Sequence, residues 1–294
     1  MEHAAAHGGA DQQGRATLYV VATPIGNLRD ISARALDVLK SVDAVAAEDT
    51  RVTARLLGHY GIAKRLISVH EHNENRAIKD VLSLLEAGKS LALTSDAGTP
   101  AVSDPGAVLV GAVREAGFAV TPIPGPNAAV TALSAAGFAA PHFLFYGFLP
   151  PRAAERRRAL TQLAPLLFTL VFYEAPHRVV ACVADLRATL GGERRIVIAR
   201  ELTKLFEAIH QCALADAEAW FKGDPNRTRG EFVLIVEGAE ARPRREDPGA
   251  HHTLEILLDA LPLKQAVNLA VGITGGRRNE LYRMALEMQK KRDP

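Results

Sequence analysis

From Thr17 onward, short apolar or β-branched runs alternate with helical stripes, and this alternation constrains the fold more than any other feature of the chain. Residues 17–22 are strand-like and end in the turn residues Thr23-Pro24-Ile25-Gly26-Asn27, after which residues 30–40 carry a helical pattern. Residues 44–47 read as a strand, and 50–60 as a helix ended near Gly61. Ile78, Val81, Leu82 and Leu85 repeat at i, i+3, i+4, i+7, one buried helical stripe, and Gly88 stops it. Residues 90–94 and 118–123 read as strands, and 105–116 and 128–136 as helices. A chain that alternates in this way predicts a largely parallel sheet with helices on both faces.

After Pro141 the rhythm changes. Strands are expected at 143–146 and 167–173, with helices at 153–163 and at 176–190, the latter opened by Pro176. Three further strands, 195–200, 206–213 and 231–237, enclose one short helix at 216–221, which suits a mixed sheet with antiparallel members. The organisation expected is a disordered tail (1–16), an N-terminal α/β domain (17–127) and a second α/β domain with the mixed sheet (128–240). A linker rich in Pro, Gly and charge (241–252) and a helical module (253–294) complete it.

Composition excludes several classes. The chain has 294 residues, 48% of them hydrophobic, enough for a large core and too many for global disorder. No run approaches the roughly 18 to 20 apolar residues of a membrane span, and the first fifteen residues lack the apolar stretch of a signal peptide. Cys182 and Cys212 lie in apolar segments without a second ligand pair, so they read as buried free thiols in a reducing, cytoplasmic protein, with no metal site expected. The net charge is only +2, but its distribution is uneven. Arg152, Arg156, Arg157 and Arg158 stand against Glu155, a local +3. Arg277, Arg278, Arg283, Lys290, Lys291 and Arg292 stand against Glu280 and Glu287, a local +4. Both stretches suit contact with phosphates.

Chemistry-bearing residues gather where strands end. The segment from Thr94 to Gly106, TSDAGTPAVSDPG, follows a strand and precedes a helix, which puts it at the carboxyl end of a parallel sheet, where open α/β sheets bind ligands. Its small residues admit a ligand close to the backbone; Asp96 can accept from an ammonium or hydroxyl, and Asp104 can cap the helix opened by Pro105. Thr23–Asp30 and Pro124-Gly125-Pro126-Asn127 are two more strand-to-helix turns on that edge, without the glycine fingerprint of dinucleotide sites. Tyr173-Glu174-Ala175-Pro176-His177-Arg178 and Arg200-Glu201-Leu202-Thr203-Lys204 stand at the ends of later strands.

Taken with Glu48-Asp49-Thr50-Arg51, these motifs resemble the ribosomal RNA small-subunit methyltransferase I family, a branch of the tetrapyrrole methylases. The likeness runs from about Leu18 to Glu237 and continues in Leu261–Val267 and Arg278–Tyr282. It implies two α/β domains with S-adenosylmethionine in the cleft between them, and a homodimer. It also implies 2′-O-methylation of a cytidine ribose in the decoding region of 16S ribosomal RNA, in the small ribosomal subunit, with no membrane involved. By position, Pro24 and Gly26 would line the cofactor cleft, Asp96, Ala97, Val102 and Ser103 would hold the methionine part, and Tyr173 and Leu202 would border the adenosine. The tetrapyrrole branch usually has Gly-Asp-Pro where this chain has Ser95-Asp96-Ala97. A ribose hydroxyl needs help to lose its proton, and Lys204 and Glu201 are expected nearest the chemistry, Lys204 as a neutral base or as a cation beside the alkoxide. Arg51, Arg156, Arg157, Arg158, Arg277 and Arg278 would hold RNA. The rival readings are a methyltransferase for a corrinoid or tetrapyrrole precursor and a non-catalytic ribosome-associated RNA-binding factor.

Overall fold

The structure, a computed structural model, describes residues 16–70, 73–139, 141–240 and 248–292. The tail expected at residues 1–15 and the linker residues 241–247 lie outside the described residues. The chain forms two compact units, one ending at Ala239 and one beginning at Glu240.

The first unit opens with β1 (Thr17–Val21), α1 (Ala33–Ser41), β2 (Ala44–Ala47), α2 (Thr50–His59), β3 (Arg65–Ser68), α3 (Glu74–Glu86), β4 (Leu91–Thr94), α4 (Ala107–Glu115) and β5 (Ala119–Ile123). The five strands form one all-parallel sheet in the order β3-β2-β4-β1-β5. Both faces are covered, as the apolar runs require. Leu18, Ala46, Leu91 and Leu93 pack against Val81 and Leu85 of α3 and Leu109 and Val113 of α4. Val21, Val45 and Ala92 pack against Ala35 and Leu39 of α1 and Leu57 of α2 on the other side. Truncating a fully buried residue such as Leu18 to alanine would cost about 2–5 kcal/mol. β3 is the strand that the apolar pattern does not announce: of its four residues only Ile67 is buried.

Several helix starts differ from expectation: the helix expected to open at Pro176 begins at Val179, the one expected at 216 begins at Leu214, and two others show why. A 3-10 turn occupies Leu28–Asp30, and α1 begins at Ala33 because the Ser32 hydroxyl accepts from the Ala35 N–H at 3.1 Å. Asp104 does not cap α4. The cap is Gly106, at a φ of 121°, where a β-carbon would lie 2.9 Å from Leu93 Cδ2.

The unit continues with α5 (Ala128–Ser134), β6 (Phe143–Phe148), α6 (Ala153–Leu163), β7 (Thr169–Glu174), α7 (Val179–Leu190), β8 (Arg195–Arg200), β9 (Ala208–Ala213), α8 (Leu214–Lys222) and β10 (Phe232–Val236). Its second sheet has the order β6-β7-β10-β8-β9, with β6 parallel to β7 and the remaining neighbours antiparallel. One face, built on Leu170, Phe172, Ile198 and Leu234, is packed by α6, α7 and α8. The other, built on Val171, Val197, Ala199 and Val233, meets α5, Ile25 and Leu202. This second face therefore reaches the turn that leaves β1.

The second unit contains α9 (Pro248–Ala260), α10 (Leu263–Thr274) and α11 (Arg278–Arg292), which bury Leu254, Val267, Ala270, Leu281 and Ala285 together. Gly275, left-handed at φ 64°, ends α10. Among the described residues no helix is long and apolar enough to cross a membrane.

Candidate active site

Three turns at the carboxyl ends of β1, β4 and β5 are stitched together. Thr23 and Gly98 exchange backbone hydrogen bonds of 2.8 and 3.0 Å, and the Thr23 hydroxyl donates to the Ser95 carbonyl at 3.1 Å. The Thr99 hydroxyl donates to the Pro126 carbonyl at 3.1 Å. Gly125 packs so closely on Ala22 that a β-carbon would lie 2.9 Å from the Ala22 Cβ. Opposite them stand the ends of β7 and β8. The result is a cleft of about 340 Å³ walled by Ile25, Ala97, Val102 and Leu202, with Asp104, Tyr173, Glu174 and Glu231 among its polar groups.

The cleft carboxylates differ in how their charge is balanced. Glu174 is fully buried, and its oxygens accept from the Ala175 N–H at 2.9 Å and face the Arg178 guanidinium at 3.1 Å. Asp104 has no such cation. Burial pushes its carboxyl up to about 6, Glu48 and Asp96 add repulsion, and the hydrogen bond from Ser95 offsets this only in part. Tyr173 is fixed by the Ala129 N–H, which donates to its hydroxyl at 3.2 Å.

Of the residues expected to hold the cofactor, Ala97, Val102, Tyr173 and Leu202 line this cleft. Pro24, Gly26, Asp96 and Ser103 lie outside its lining, each for a visible reason. Asp96 turns to the Glu48–Arg51 segment, where its Oδ1 accepts from the Asp49 N–H at 3.0 Å and its own N–H donates to Glu48 at 3.2 Å. Burial raises the Asp96 carboxyl as well. Ser103 is left-handed at φ 62° and lies against Gly147. Gly26 abuts the segment after β8, where a β-carbon would lie 2.9 Å from Thr203 Oγ1 and 3.0 Å from the Leu202 carbonyl oxygen. Pro24 precedes that contact in the same turn.

Lys204 and Glu201 also lie outside the lining, at its edge. Lys204 Nζ donates to Glu201 Oε1 at 2.9 Å and to Glu231 Oε2 at 2.8 Å, and Glu231 does line the cleft. Burial opposes the lysine charge, but the two carboxylates outweigh it and raise Lys204 above its ordinary value. Of the two roles expected of Lys204, the neutral base does not fit these neighbours, which are anions and favour the protonated form; the cation beside the alkoxide does. For Glu201, burial is likewise outweighed, by Lys204 and by the Glu231 N–H at 2.9 Å, and its carboxyl is lowered.

The basic residues separate into distinct groups. Arg156 is buried and paired with Asp185 at 2.6 Å, so it braces α6 against α7 and does not reach RNA. Removing one partner of such a buried pair costs roughly 3–5 kcal/mol. Arg157 shares Asp185 at 3.0 Å from a half-exposed position. Arg158 is exposed, with no ion-pair partner among the described residues. Arg51 is exposed but gripped by Asp49 at 2.6 Å, a contact that holds the Asp49 carboxyl at about 2. Arg277 and Arg278 are exposed on the second unit, Arg277 at 3.9 Å from Glu280. Residues 290–292 belong to α11, but their side chains lie outside the description, as do residues 293 and 294. Among the described residues no group of three His, Cys, Asp or Glu side chains is placed to hold a metal ion.

Asp104 as a cleft carboxylate, Glu231 and Phe148 are lining residues that the sequence reading misses. Gly147 in the middle of a strand run was the available signal for Phe148, since glycine there marks a bulge or a close approach. The Pro105 that follows Asp104 instead suggested a helix cap.

Residues 17–218 match the family model described as Tetrapyrrole (Corrin/Porphyrin) Methylases, and residues 245–289 match the RsmI C-terminal HTH domain. Solved structures share the fold: the methyltransferase CobJ aligns at TM-score 0.57 and 21% identity, over 79% of this chain and 97% of that one. The cobalt precorrin-4 methyltransferase CbiF aligns at TM-score 0.56 and 17% identity, over 75% and 94%. The ribosomal RNA small subunit methyltransferase I of Escherichia coli O157:H7 is 49% identical over 96% of this chain and 99% of its own. Its counterpart from Pseudomonas aeruginosa PAO1 is 50% identical over 94% and 98%. The chain belongs to the tetrapyrrole methylase family and, within it, to the family of ribosomal RNA small subunit methyltransferase I.

It is a methyltransferase, and the methyl donor of this family is S-adenosylmethionine. The cleft fits that donor. A sulfonium and an ammonium favour a site where a carboxyl lacks a cation, which is the situation of Asp104. The apolar walls of Ile25, Val102 and Leu202 suit an adenine ring.

Proposed function

We propose that the protein methylates the 2′-hydroxyl of a cytidine ribose in the decoding region of 16S ribosomal RNA, with S-adenosylmethionine as donor. One observation carries the reading: relatives named ribosomal RNA small subunit methyltransferase I are 49–50% identical over nearly the whole of both chains. The donor brings its own leaving group, so the protein's main task is to position two reactants. Ala97, Val102, Tyr173 and Leu202 would hold the donor, and Asp104 would face its positive charge. Lys204, kept charged between two carboxylates, would stabilise the ribose oxygen as its proton leaves, and Glu201 would orient Lys204. Pro24, Gly26, Asp96 and Ser103 would act one layer back, by shaping the loops.

Arg51, Arg157, Arg158, Arg277 and Arg278 would meet phosphates; Arg156 is left out because it is buried. The division into domains at residue 127 belongs to the same reading, as do action in the cytoplasm on the small subunit and assembly as a homodimer; the helical extension expected from residue 253 starts earlier, with α9 at Pro248, inside the expected linker. Sedimentation of the purified chain checks the dimer.

The test is transfer of labelled methyl groups to purified small subunits, to naked small-subunit RNA and to a corrin-pathway precursor in parallel. The expected result is label in RNA that survives alkaline hydrolysis as a 2′-O-methyl dinucleotide. Label in the precursor alone would overturn the substrate and leave the fold untouched.

A further inference from the structure

Phe148 is an aromatic ring in the cleft lining with half its surface open, at 52% exposure. Its direction is set by an irregularity in β6. Phe145 pairs with Val171 of β7, but the next partners are Gly147 with Phe172 and Phe148 with Tyr173. In a regular strand residues 145 and 148 would face opposite sides of the sheet. The extra residue turns Phe148 to the side that carries Phe145 and Tyr173, and bulges beside active sites commonly re-aim a side chain in this way. Both rings meet Tyr173 edge-on, Phe145 at 4.9 Å and Phe148 at 5.6 Å between centroids. Gly147 makes the bulge with a φ of 78°, and a β-carbon there would lie 2.6 Å from Ser103 Oγ. The loop after β4 thus lies close enough to the bulge to leave no room for a side chain at residue 147.

We infer that Phe148 is the platform on which the base of the target nucleotide stacks when its ribose enters the cleft. The inference rests on ribosomal RNA being the substrate. A ribose hydroxyl reaches a cleft of about 340 Å³ only if its nucleotide leaves the RNA stack, and the base then lacks a stacking partner. Aromatic rings supply one irrespective of base identity. Of the three rings in the lining, Phe232 is buried in the core, and Tyr173 is tied to Ala129 and flanked by two phenylalanines. Phe148 alone among them is half open.

The test compares full-length wild type with Phe148→Leu and Phe148→Tyr. Stacking on one ring predicts about a tenfold rise in KM for small subunits in the leucine variant, with kcat within about twofold. The tyrosine variant should restore the wild-type KM, and calorimetry should give all three the same affinity for S-adenosylmethionine. A position this open predicts a melting temperature within a few degrees of wild type; Phe148→Met replaces the leucine variant if that one does not fold. A second readout uses small-subunit RNA with an abasic ribose at the target. Removing the base should slow wild type about tenfold and leave the leucine variant no worse than before. An unchanged KM, or equal losses on the abasic substrate, overturns the platform. Lost affinity for S-adenosylmethionine would place the ring against the donor and also overturn it. Wild type that methylates only the corrin precursor defeats the parent reading; wild type active on small subunits beside an unaffected leucine variant defeats this inference alone.

Discussion

The segment after β4 places Ala101 and Ser103 at φ of 68° and 62°, and the segment after β8 places Glu201 and Thr203 at 51° and 64°. Among the described residues these four are the non-glycine positions with positive φ. Each costs of order 1–3 kcal/mol and persists only where its surroundings hold it. The two segments share this backbone device but treat charge differently. After β4, Asp104 faces burial and two further carboxylates. After β8, Lys204 is bracketed by Glu201 and Glu231 and is neutralised in place. The first segment carries a carboxyl without a cation and the second a cation already matched by carboxylates, so on the proposed reading the donor side and the hydroxyl side of the methyl transfer would fall on different loops.

Lys204→Ala is the most severe test of that division. Removing a cation from a developing oxyanion should lower the single-turnover rate by about 10²–10³-fold with affinity for S-adenosylmethionine unchanged. An unaffected rate would make Lys204 a structural cation and leave the segment after β8 without a chemical role. Gly26→Ala probes the same segment from the other side. A β-carbon there would push on Thr203 and Leu202, and a displacement near 1 Å should cost on the order of a hundredfold in kcat. If kcat holds, the contact between the β1 turn and the β8 segment does not set the geometry.

Asp104→Asn tests the donor side and should weaken binding of S-adenosylmethionine about tenfold, the scale of one hydrogen bond to a charged group. Its pH dependence has a definite sign. The folded carboxyl sits at about 6, above its ordinary 3.8. Above about 6 it is ionised and attracts the donor, so affinity should fall as pH drops through that value, and the asparagine variant should show no such step. The same raised value contributes stability to the unliganded fold below 3.8, and this is lost as pH climbs through about 6. Calorimetry in buffers of different ionisation enthalpy should detect a proton released on binding near pH 6. No release would mean that the donor does not approach Asp104.

The fold was legible where burial is uniform and less so where it is mixed. β2 and β8 fall on their expected residues because each is a nearly continuous apolar run, whereas β3 has one buried residue and produced no pattern. The site was legible as a set of strand ends, since motif position follows from alternation along the chain. Which side chain faces the cleft did not follow. Asp96 and Asp104 are eight residues apart in one loop, and only hydrogen bonding to Asp49 shows that Asp96 turns elsewhere. Phe148 depends on a bulge, which moves a side chain across the sheet without altering the apolar pattern. Arg156 depends on Asp185, 29 positions later on another helix, so a run of arginines read as surface in fact holds one buried structural ion pair.

That separation of arginines supplies the mildest test. Arg158 is exposed, and Arg157, one residue earlier, already shares Asp185. If Arg158 meets a phosphate, Arg158→Ala should reduce the slope of log affinity against log salt by about one, weaken small-subunit binding a few-fold and leave S-adenosylmethionine binding unchanged. Arg157→Ala should change the slope less, because its charge is already partly compensated by a carboxylate. Equal slopes for wild type and both variants would move RNA contact off α6 and leave Arg51, Arg277 and Arg278 to carry it, which the same salt titration on those variants would show.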